Sequence, residues 1–311
     1  MTLLSCSDAL NFVASKMQSL SLPPVERVPL PQALGRVLAQ AVTADRDQPP
    51  FPRSTRDGYA VRAGDPETPK KLIGAIRAGE AWTGAALQPG EVIEIMTGAP
   101  LPAGADAVVM VEHVSLEADR VQLLPGRSLL PGENVVPRAA EAQAGDTVLD
   151  GGARIGAAEI ALCASVGAAV VNVYAKPTIA ILATGDELVA MDATPGPMQI
   201  RNSNSHGLAA LVESNGGVAR VLPPAADTRE SLHAAITGAR DAEMLILSGG
   251  VSAGKYDFVE DVLLSLGAEF FFTGVAMQPG KPAVFGRIPA DGTHREQWIF
   301  GLPGNPVSTQ V

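Results

Sequence analysis

The spacing of apolar residues divides the chain into segments of different texture. Leu10, Val13, Met17 and Leu20 recur at helical spacing; Ser7 or Asp8 can cap that helix, and Pro23-Pro24 ends it. Residues 31–34 predict a short helical turn, followed by an extended stretch over 36–42. From about residue 51 to 138, short apolar runs at 72–76, 92–96, 107–111 and 121–124 alternate with Gly/Pro turns, the pattern of a small all-β module. A strand at 146–149, a Gly-Gly turn, a helix over 157–166 and a strand over 168–174 return to mixed structure. From Lys176 onward, strands at 178–183, 218–222, 244–247, 269–272, 283–285 and 298–300 alternate with helices at 205–214, 228–239 and 257–266. Alternating β and α with short loops predicts a doubly wound, mostly parallel sheet. The fold class expected is thus multidomain α/β, with a β-rich module beside the sheet module. Ligands of such sheets bind beyond the carboxyl ends of the strands.

The segments just after those strands carry the most information. The run Leu247-Ser248-Gly249-Gly250-Val251-Ser252-Ala253-Gly254-Lys255-Tyr256-Asp257-Phe258 has no large side chain between strand and Lys255. A strand feeding a glycine-rich turn and then a helix leaves backbone N–H groups free to hold an anion. Glycine permits the positive-φ turns and close approach that such a cradle needs. A second loop of this kind, Gly301-Leu302-Pro303-Gly304-Asn305-Pro306-Val307-Ser308, follows the strand at 298–300. Two such loops in one module point to a ligand with a phosphate or another oxyanion.

Charge and composition narrow the classes. Against 23 Lys+Arg stand 33 Asp+Glu, a formal net charge of −10, which argues against a nucleic-acid-binding face. Cys6 and Cys163 are the only cysteines; Cys163 sits in an apolar helical pattern and reads as a core thiol. Neither a disulfide framework nor a cysteine metal site is supported, which fits a reducing cytoplasm. No apolar run reaches membrane-spanning length, and the N-terminus lacks the pattern of a signal peptide. His113, His206, His233 and His294 show no ligand spacing.

Acidic residues fall at the same sheet edge. Thr184-Gly185-Asp186-Glu187-Leu188 follows a buried strand. Two adjacent carboxylates there could hold Mg²⁺, although taken alone a helix cap plus a solvated acid is the better reading. Asp227 and Asp257 also lie at strand-to-helix junctions, where Asp is a common cap. Three separate acidic sites on one edge shift the balance toward a metal and phosphate site, because a phosphate beside carboxylates needs a bridging cation. Gln278-Pro279-Gly280-Lys281-Pro282 places one lysine in a rigid turn, either an ordinary exposed lysine or a point charge for an oxyanion.

Seven segments together resemble the molybdopterin molybdenumtransferases, the MoeA and gephyrin E-domain family. They are Arg53-Ser54-Thr55-Arg56-Asp57-Gly58-Tyr59-Ala60-Val61-Arg62, Ile95-Met96-Thr97-Gly98-Ala99-Pro100, Thr184 to Leu188, Arg201-Asn202-Ser203-Asn204, Ser248 to Asp257, Gln278 to Pro282 and Gly301 to Ser308. They occur in the family's order across nearly the whole chain. The resemblance implies an elongated mixed linker domain of residues 1–52 and 139–176, a β-rich domain of residues 53–138, and an α/β molybdopterin-binding domain of residues 177–311. It implies insertion of molybdenum into adenylylated molybdopterin with release of AMP, the last step of molybdenum cofactor synthesis, with molybdate and the pterin as substrates and Mg²⁺ as cofactor. It implies a homodimer whose cleft lies between subunits, and the molybdopterin adenylyltransferase as a partner.

Carried over residue by residue, the resemblance makes Asp57, Thr97, Glu187, Asp227 and Asp257 catalytic. It assigns Asp186, Glu187 and Glu141 to the metal, and Lys281, Pro282 and Ser308 to molybdate. Ser248, Gly249, Gly250, Ser252, Gly254, Gly301, Gly304 and Asn305 fall to the pterin and its phosphate. Three departures from the family's pattern stand out. Gln278 occupies a position that is basic in many members. The arginine-rich stretch after Gly132-Glu133-Asn134 keeps only Arg138 and Glu141, the latter in place of an Asp. The chain stops at Val311, one turn into a helix that Asn305 and Pro306 open as N-cap and N1, so a longer parent chain is expected. Two other functions remain open on sequence grounds. The α/β module alone resembles the adenylyltransferases and the competence-damage nucleotide hydrolases, and a non-catalytic pterin-binding scaffold or an inactive fragment is the third. The segment around Asp57 and the Met-Thr-Gly-Ala-Pro run favour the transferase.

Overall fold

The computed structural model describes residues 3–18, 20–250 and 258–310. The chain separates into two compact units, residues 27–173 and residues 1–26 with 174–311.

The unit of residues 27–173 contains distinct cores. One is a six-stranded sheet of β1 (Gly58–Val61), β2 (Lys70–Ile76), β3 (Glu91–Ile95), β4 (Ala107–Met110), β5 (Val114–Glu117) and β6 (Arg120–Leu123), in the order β4-β1-β3-β2-β6-β5. β1 was not marked by the apolar pattern, because Gly58 opens it and only three residues follow. It is nonetheless buried along its whole length between β3 and β4. A Cβ at position 58 would collide with the Val109 carbonyl, so the glycine lets the two backbones approach. A second core gathers Val28, Leu30, Leu38, Val42, Ile155, Cys163, Val166 and Val173 around α2 (Ala157–Ser165). Cys163 is fully buried, as the helical pattern requires.

The other unit is built on β7 (Thr178–Ala183), β8 (Val218–Val221), β9 (Met244–Ser248), β10 (Glu269–Phe272), β11 (Val284–Ile288) and β12 (Gln297–Leu302), in the order β8-β7-β9-β12-β11-β10. The pairs β7–β8, β7–β9 and β9–β12 are parallel. β11 runs antiparallel to both neighbours. It extends further than the apolar run at 283–285 indicates, because Gly286 brings the chain close to β10: a Cβ there would lie 2.5 Å from the Glu269 carbonyl oxygen. β12 likewise continues through Gly301, which pairs with Leu247 and Val284, so the second glycine-rich loop opens at Pro303. Helices α3 (Asn204–Ser214), α4 (Arg229–Thr237), α5 (Val259–Ser265) and α6 (Pro306–Gln310) complete the unit.

Helix α1 (Cys6–Met17) differs from its sequence reading in two ways. Ser5 is the cap, its side chain accepting from the Asp8 N–H at 3.1 Å, so Asp8 lies within the first turn. Leu10 is 66 % exposed; the packed face is instead Ala9, Phe12, Val13 and Met17, set against Phe271, Phe272, Phe285 and Trp298. Residues 9, 12–13 and 17 follow the helical period, and Leu10 falls off that face.

Candidate functional site

The parallel strands bring Thr184, Gly185, Asp186, Glu187, Asp227, Ser248 and Gly249 to one edge of the sheet. Thr184 forms a parallel bridge with Ala225, and its N–H donates to the Ser248 carbonyl at 3.0 Å. Gly185 donates to Ala225 at 3.3 Å. These bonds knit the ends of β7 and β9 to the segment that enters α4.

Neither acidic position serves as a cap. Thr184-Gly185-Asp186-Glu187 leads into a short strand, Leu188–Val189, that pairs with Ile200–Arg201 and not into a helix. At α4 the cap is Thr228, whose hydroxyl accepts from the Ser231 N–H at 3.2 Å. The Asp227 carboxylate is therefore released from capping. Its backbone N–H donates to Asp186 Oδ1 at 3.2 Å. Burial, and then the charges of Asp186 and Glu187, raise the Asp227 carboxyl above the ordinary Asp range. Gly185, at φ +146°, lets the Glu187 carboxylate fold against the backbone; a Cβ there would lie 2.6 Å from Glu187 Oε2.

The glycine-rich turn after β9 is equally constrained. Gly249 has φ +92°, and a Cβ would meet the Thr184 carbonyl oxygen at 2.8 Å. Ser248 is buried and accepts from Asn204 Nδ2 at 2.8 Å. The same Nδ2 donates to the Gly304 carbonyl at 2.9 Å and approaches Thr309 Oγ1 at 3.3 Å. The second loop lies against the first, since a Cβ on Gly304 would be 3.6 Å from Gly249 Cα. Asn305 Oδ1 accepts from Val307 N at 3.0 Å and opens α6, as Asn-Pro predicts. Gly280 packs against this helix: at φ +101°, a Cβ there would lie 2.7 Å from Met277 Cε and 3.5 Å from the Ser308 carbonyl oxygen. Lys281 is exposed, Pro282 half-buried, and the loop carrying both is thereby placed beside Ser308. Gly250 is half-buried directly after Gly249. Ser252, Gly254 and Asp257 lie outside the described residues.

In the other unit, Asp57 Oδ1 accepts from the Thr97 N–H and the Thr97 hydroxyl, each at 2.7 Å. Those two bonds, the backbone one first, hold the Asp57 carboxyl below the usual range. Gly98, at φ +83°, donates to the Ser54 carbonyl at 2.8 Å and fixes the turn that presents Thr97. Glu141 is paired with Arg53 at 2.8 Å, and Arg138 with Asp47 at 2.6 Å.

Thr184 and Asn204 lie within the family motifs, and neither is assigned a role from the sequence. Thr184 Oγ1 and Asn204 Oδ1 are buried without a partner among the described residues. The position of each asparagine could have been a clue, because Asn202 already accepts from the Ser205 N–H at 3.2 Å and leaves Asn204 free of capping. No three His, Cys, Asp or Glu side chains converge on a metal among the described residues. No helix among them is long and apolar enough to cross a membrane.

Paired glycine-rich loops and carboxylates at the carboxyl edge of a parallel sheet are features shared with α/β proteins that bind phosphorylated ligands. Comparison with known proteins gives the particular family. Residues 4–167 match the MoeA N-terminal region (domain I and II), and residues 180–311 match the family described as a probable molybdopterin binding domain. The chain is 40% identical to the molybdopterin molybdenumtransferase of Nostoc sp. over 318 residues, covering 99% of this chain and 71% of the relative. Its counterpart in Synechocystis sp. is 37% identical, with 89% and 71% covered. Two solved structures of the molybdopterin biosynthesis MoeA protein from Pyrococcus horikoshii superimpose with TM-scores of 0.76 and 0.80 at 34% and 26% identity, each covering 99% of this chain and 76% of the other. The chain belongs to the molybdopterin molybdenumtransferase family. That family acts in molybdenum cofactor biosynthesis, at its last step, the insertion of molybdenum.

Proposed function

We propose that this protein carries molybdenum from molybdate onto adenylylated molybdopterin and releases AMP at the carboxyl edge of the α/β sheet. The observation that carries this reading is Asp227: a carboxyl freed from capping, with its proton affinity raised, beside Asp186 and the Ser248–Gly249–Gly250 turn. Cleavage of the pyrophosphate-type link needs an oxygen nucleophile at phosphorus and a base to take its proton. A carboxylate with raised proton affinity suits that task better than an ordinary Asp. Asp257 and Glu187 are assigned supporting roles at the same step.

The turn after β9 and the loop containing Gly304 would hold the phosphate oxygens through backbone N–H groups and the Ser248 hydroxyl. Lys281, Pro282 and Ser308 would form the molybdate pocket, with the ammonium and the hydroxyl facing a tetrahedral oxyanion. The donor set fits Mg²⁺. Asp186 and Glu187 would offer hard oxygen ligands at this corner, which leaves the Asp227 carboxylate unligated as the base. When bound, Mg²⁺ would neutralise charge on the phosphate being cleaved.

We also assign Asp57 and Thr97 to this reaction, in a homodimer whose cleft draws residues from both subunits, and place the protein in the cytoplasm with the adenylyltransferase as substrate donor. Support for the dimer is the family resemblance and the twofold symmetry that most oligomers adopt. Mixing Asp57→Ala and Asp227→Ala subunits tests it, because a shared cleft regains part of the wild-type activity. The function itself is tested by calorimetry with adenylylated molybdopterin beside a molybdenum-insertion assay. Binding with turnover is expected; turnover of a free nucleotide instead would favour the hydrolase reading.

A further inference from the structure

One side chain connects the end of β9, the second glycine-rich loop and α6. Asn204 is the first residue of α3, yet its amide plays no part in starting that helix, because Asn202 already accepts from Ser205 N. Asn204 Nδ2 reaches Gly304 O at 2.9 Å, Ser248 Oγ at 2.8 Å and Thr309 Oγ1 at 3.3 Å. A carbonyl oxygen can only accept, so the contact with Gly304 fixes which end of the amide points this way. Both amide protons are then directed, one to the second loop and one to a lone pair of Ser248. Thr309 spends its own proton on the Pro303 carbonyl at 2.6 Å.

The consequence lies at Ser248. A serine hydroxyl has one proton to give. With one of its two lone pairs engaged by Asn204, Ser248 has its proton directed away from that amide, at the point where the chain turns into Gly249 and Gly250. An anionic oxygen is the acceptor such a donor favours, and hydrogen bonds to charged groups are the stronger ones. Ser248 is 3% exposed, so the donor is already desolvated before a ligand arrives.

Resting on the functional reading above, we infer that Asn204 is a positioning residue for the phosphate of the adenylylated pterin: it directs the Ser248 proton away from its own amide and clamps the two glycine-rich loops at one spacing. It acts through Ser248 and Gly304. Asp at position 204 keeps the shape and reverses the chemistry, since a carboxylate accepts the Ser248 proton and repels both the Gly304 carbonyl and an incoming phosphate.

The experiment is a double-mutant cycle on ligand binding, with Asn204→Asp, Ser248→Ala and the pair, read by calorimetry with adenylylated molybdopterin and, in parallel, with inorganic pyrophosphate. Ser248→Ala should weaken binding by about 10- to 100-fold, the range of one charge-assisted hydrogen bond. Asn204→Asp should weaken it at least as much, and the pair should be no weaker than Asn204→Asp alone. Thermal melts confirm folding, and Asn204→Ala replaces the Asp variant in the cycle if that variant does not fold. Effects of the two substitutions that multiply independently overturn the inference, as does wild-type affinity in Asn204→Asp. If wild type binds pyrophosphate but not the pterin, the functional reading fails and the pyrophosphate cycle still decides the role of Asn204. If wild type binds neither, both fall.

Discussion

The backbone N–H of Asp227 donates to Asp186 Oδ1 at 3.2 Å, so two carboxylates from different loops share one corner of the sheet. Neither caps a helix: Thr228 takes that task at α4, and Asp186 precedes a strand. Carboxylates held this way work against the stability of the fold.

Asp227→Asn should raise the melting temperature at neutral pH and lower activity. Asp227 holds its proton more tightly folded than unfolded. The folded state therefore binds more protons from the ordinary Asp value of 3.8 up to the raised folded value, and stability falls as pH climbs through that window. Above the window the charged carboxylate is a standing cost, which the amide removes. Melts of both proteins at acid and neutral pH check this: the gain from Asn should be present at neutral pH and vanish in acid.

Mg²⁺ should raise the melting temperature of the wild type more than that of Asp186→Asn or Glu187→Gln. A ligand that binds only the folded protein stabilises it in proportion to its occupancy. Scanning calorimetry with and without MgCl₂, and with chelator, measures the difference without any turnover.

Thr97→Val should move the Asp57 titration upward. The hydroxyl is the second of the two bonds that hold this carboxyl down, and the backbone N–H remains. In the wild type the bonded carboxylate supports the fold above the ordinary Asp value, and that support is lost as pH falls through the depressed one. Carboxyl-carbon NMR titration of Asp57 should show a partial shift toward ordinary behaviour in Thr97→Val, and Thr97→Ser should restore the wild-type value.

Gly249→Ala should destabilise the protein and cripple pterin binding together. Left-handed backbone costs a residue with a Cβ roughly 1–2 kcal/mol. The added carbon would also sit 2.8 Å from the Thr184 carbonyl oxygen, so the turn must open. Gly304→Ala, whose Cβ would find ordinary contact at 3.6 Å, is the milder control in the same melts and binding titrations.

Much of this was legible in the sequence, for identifiable reasons. The strand at 178–183 is a continuous buried run, and its bounds match the apolar pattern to the residue. Asn305-Pro306 marks the start of α6 because cap chemistry is local. What escaped depends on partners distant in sequence. β1 is buried because it lies between β3 and β4, with Gly58 passing close to the Val109 carbonyl, which no local period reports. The reversed direction of β11 follows from pairing with β10 and β12. Asp227 reads as a cap until Thr228 is seen to do that work. Asn204 looked like one more polar residue at a helix start; its importance comes from Ser248 and Gly304, 44 and 100 residues away.

The central claim is that the Asp186–Asp227 corner cleaves the link to AMP while the glycine-rich loops hold the pterin. Its most direct test is single-turnover AMP release from adenylylated molybdopterin, with molybdate and MgCl₂, by the wild type and by Asp227→Asn, beside the affinity of each for the same pterin. Wild type should release AMP, and Asp227→Asn should release it ~10²–10⁴-fold more slowly, the usual contribution of a positioned acid or base, with affinity kept within a few-fold. Parallel loss of affinity and rate, or AMP release by Asp227→Asn at the wild-type rate, would contradict the account.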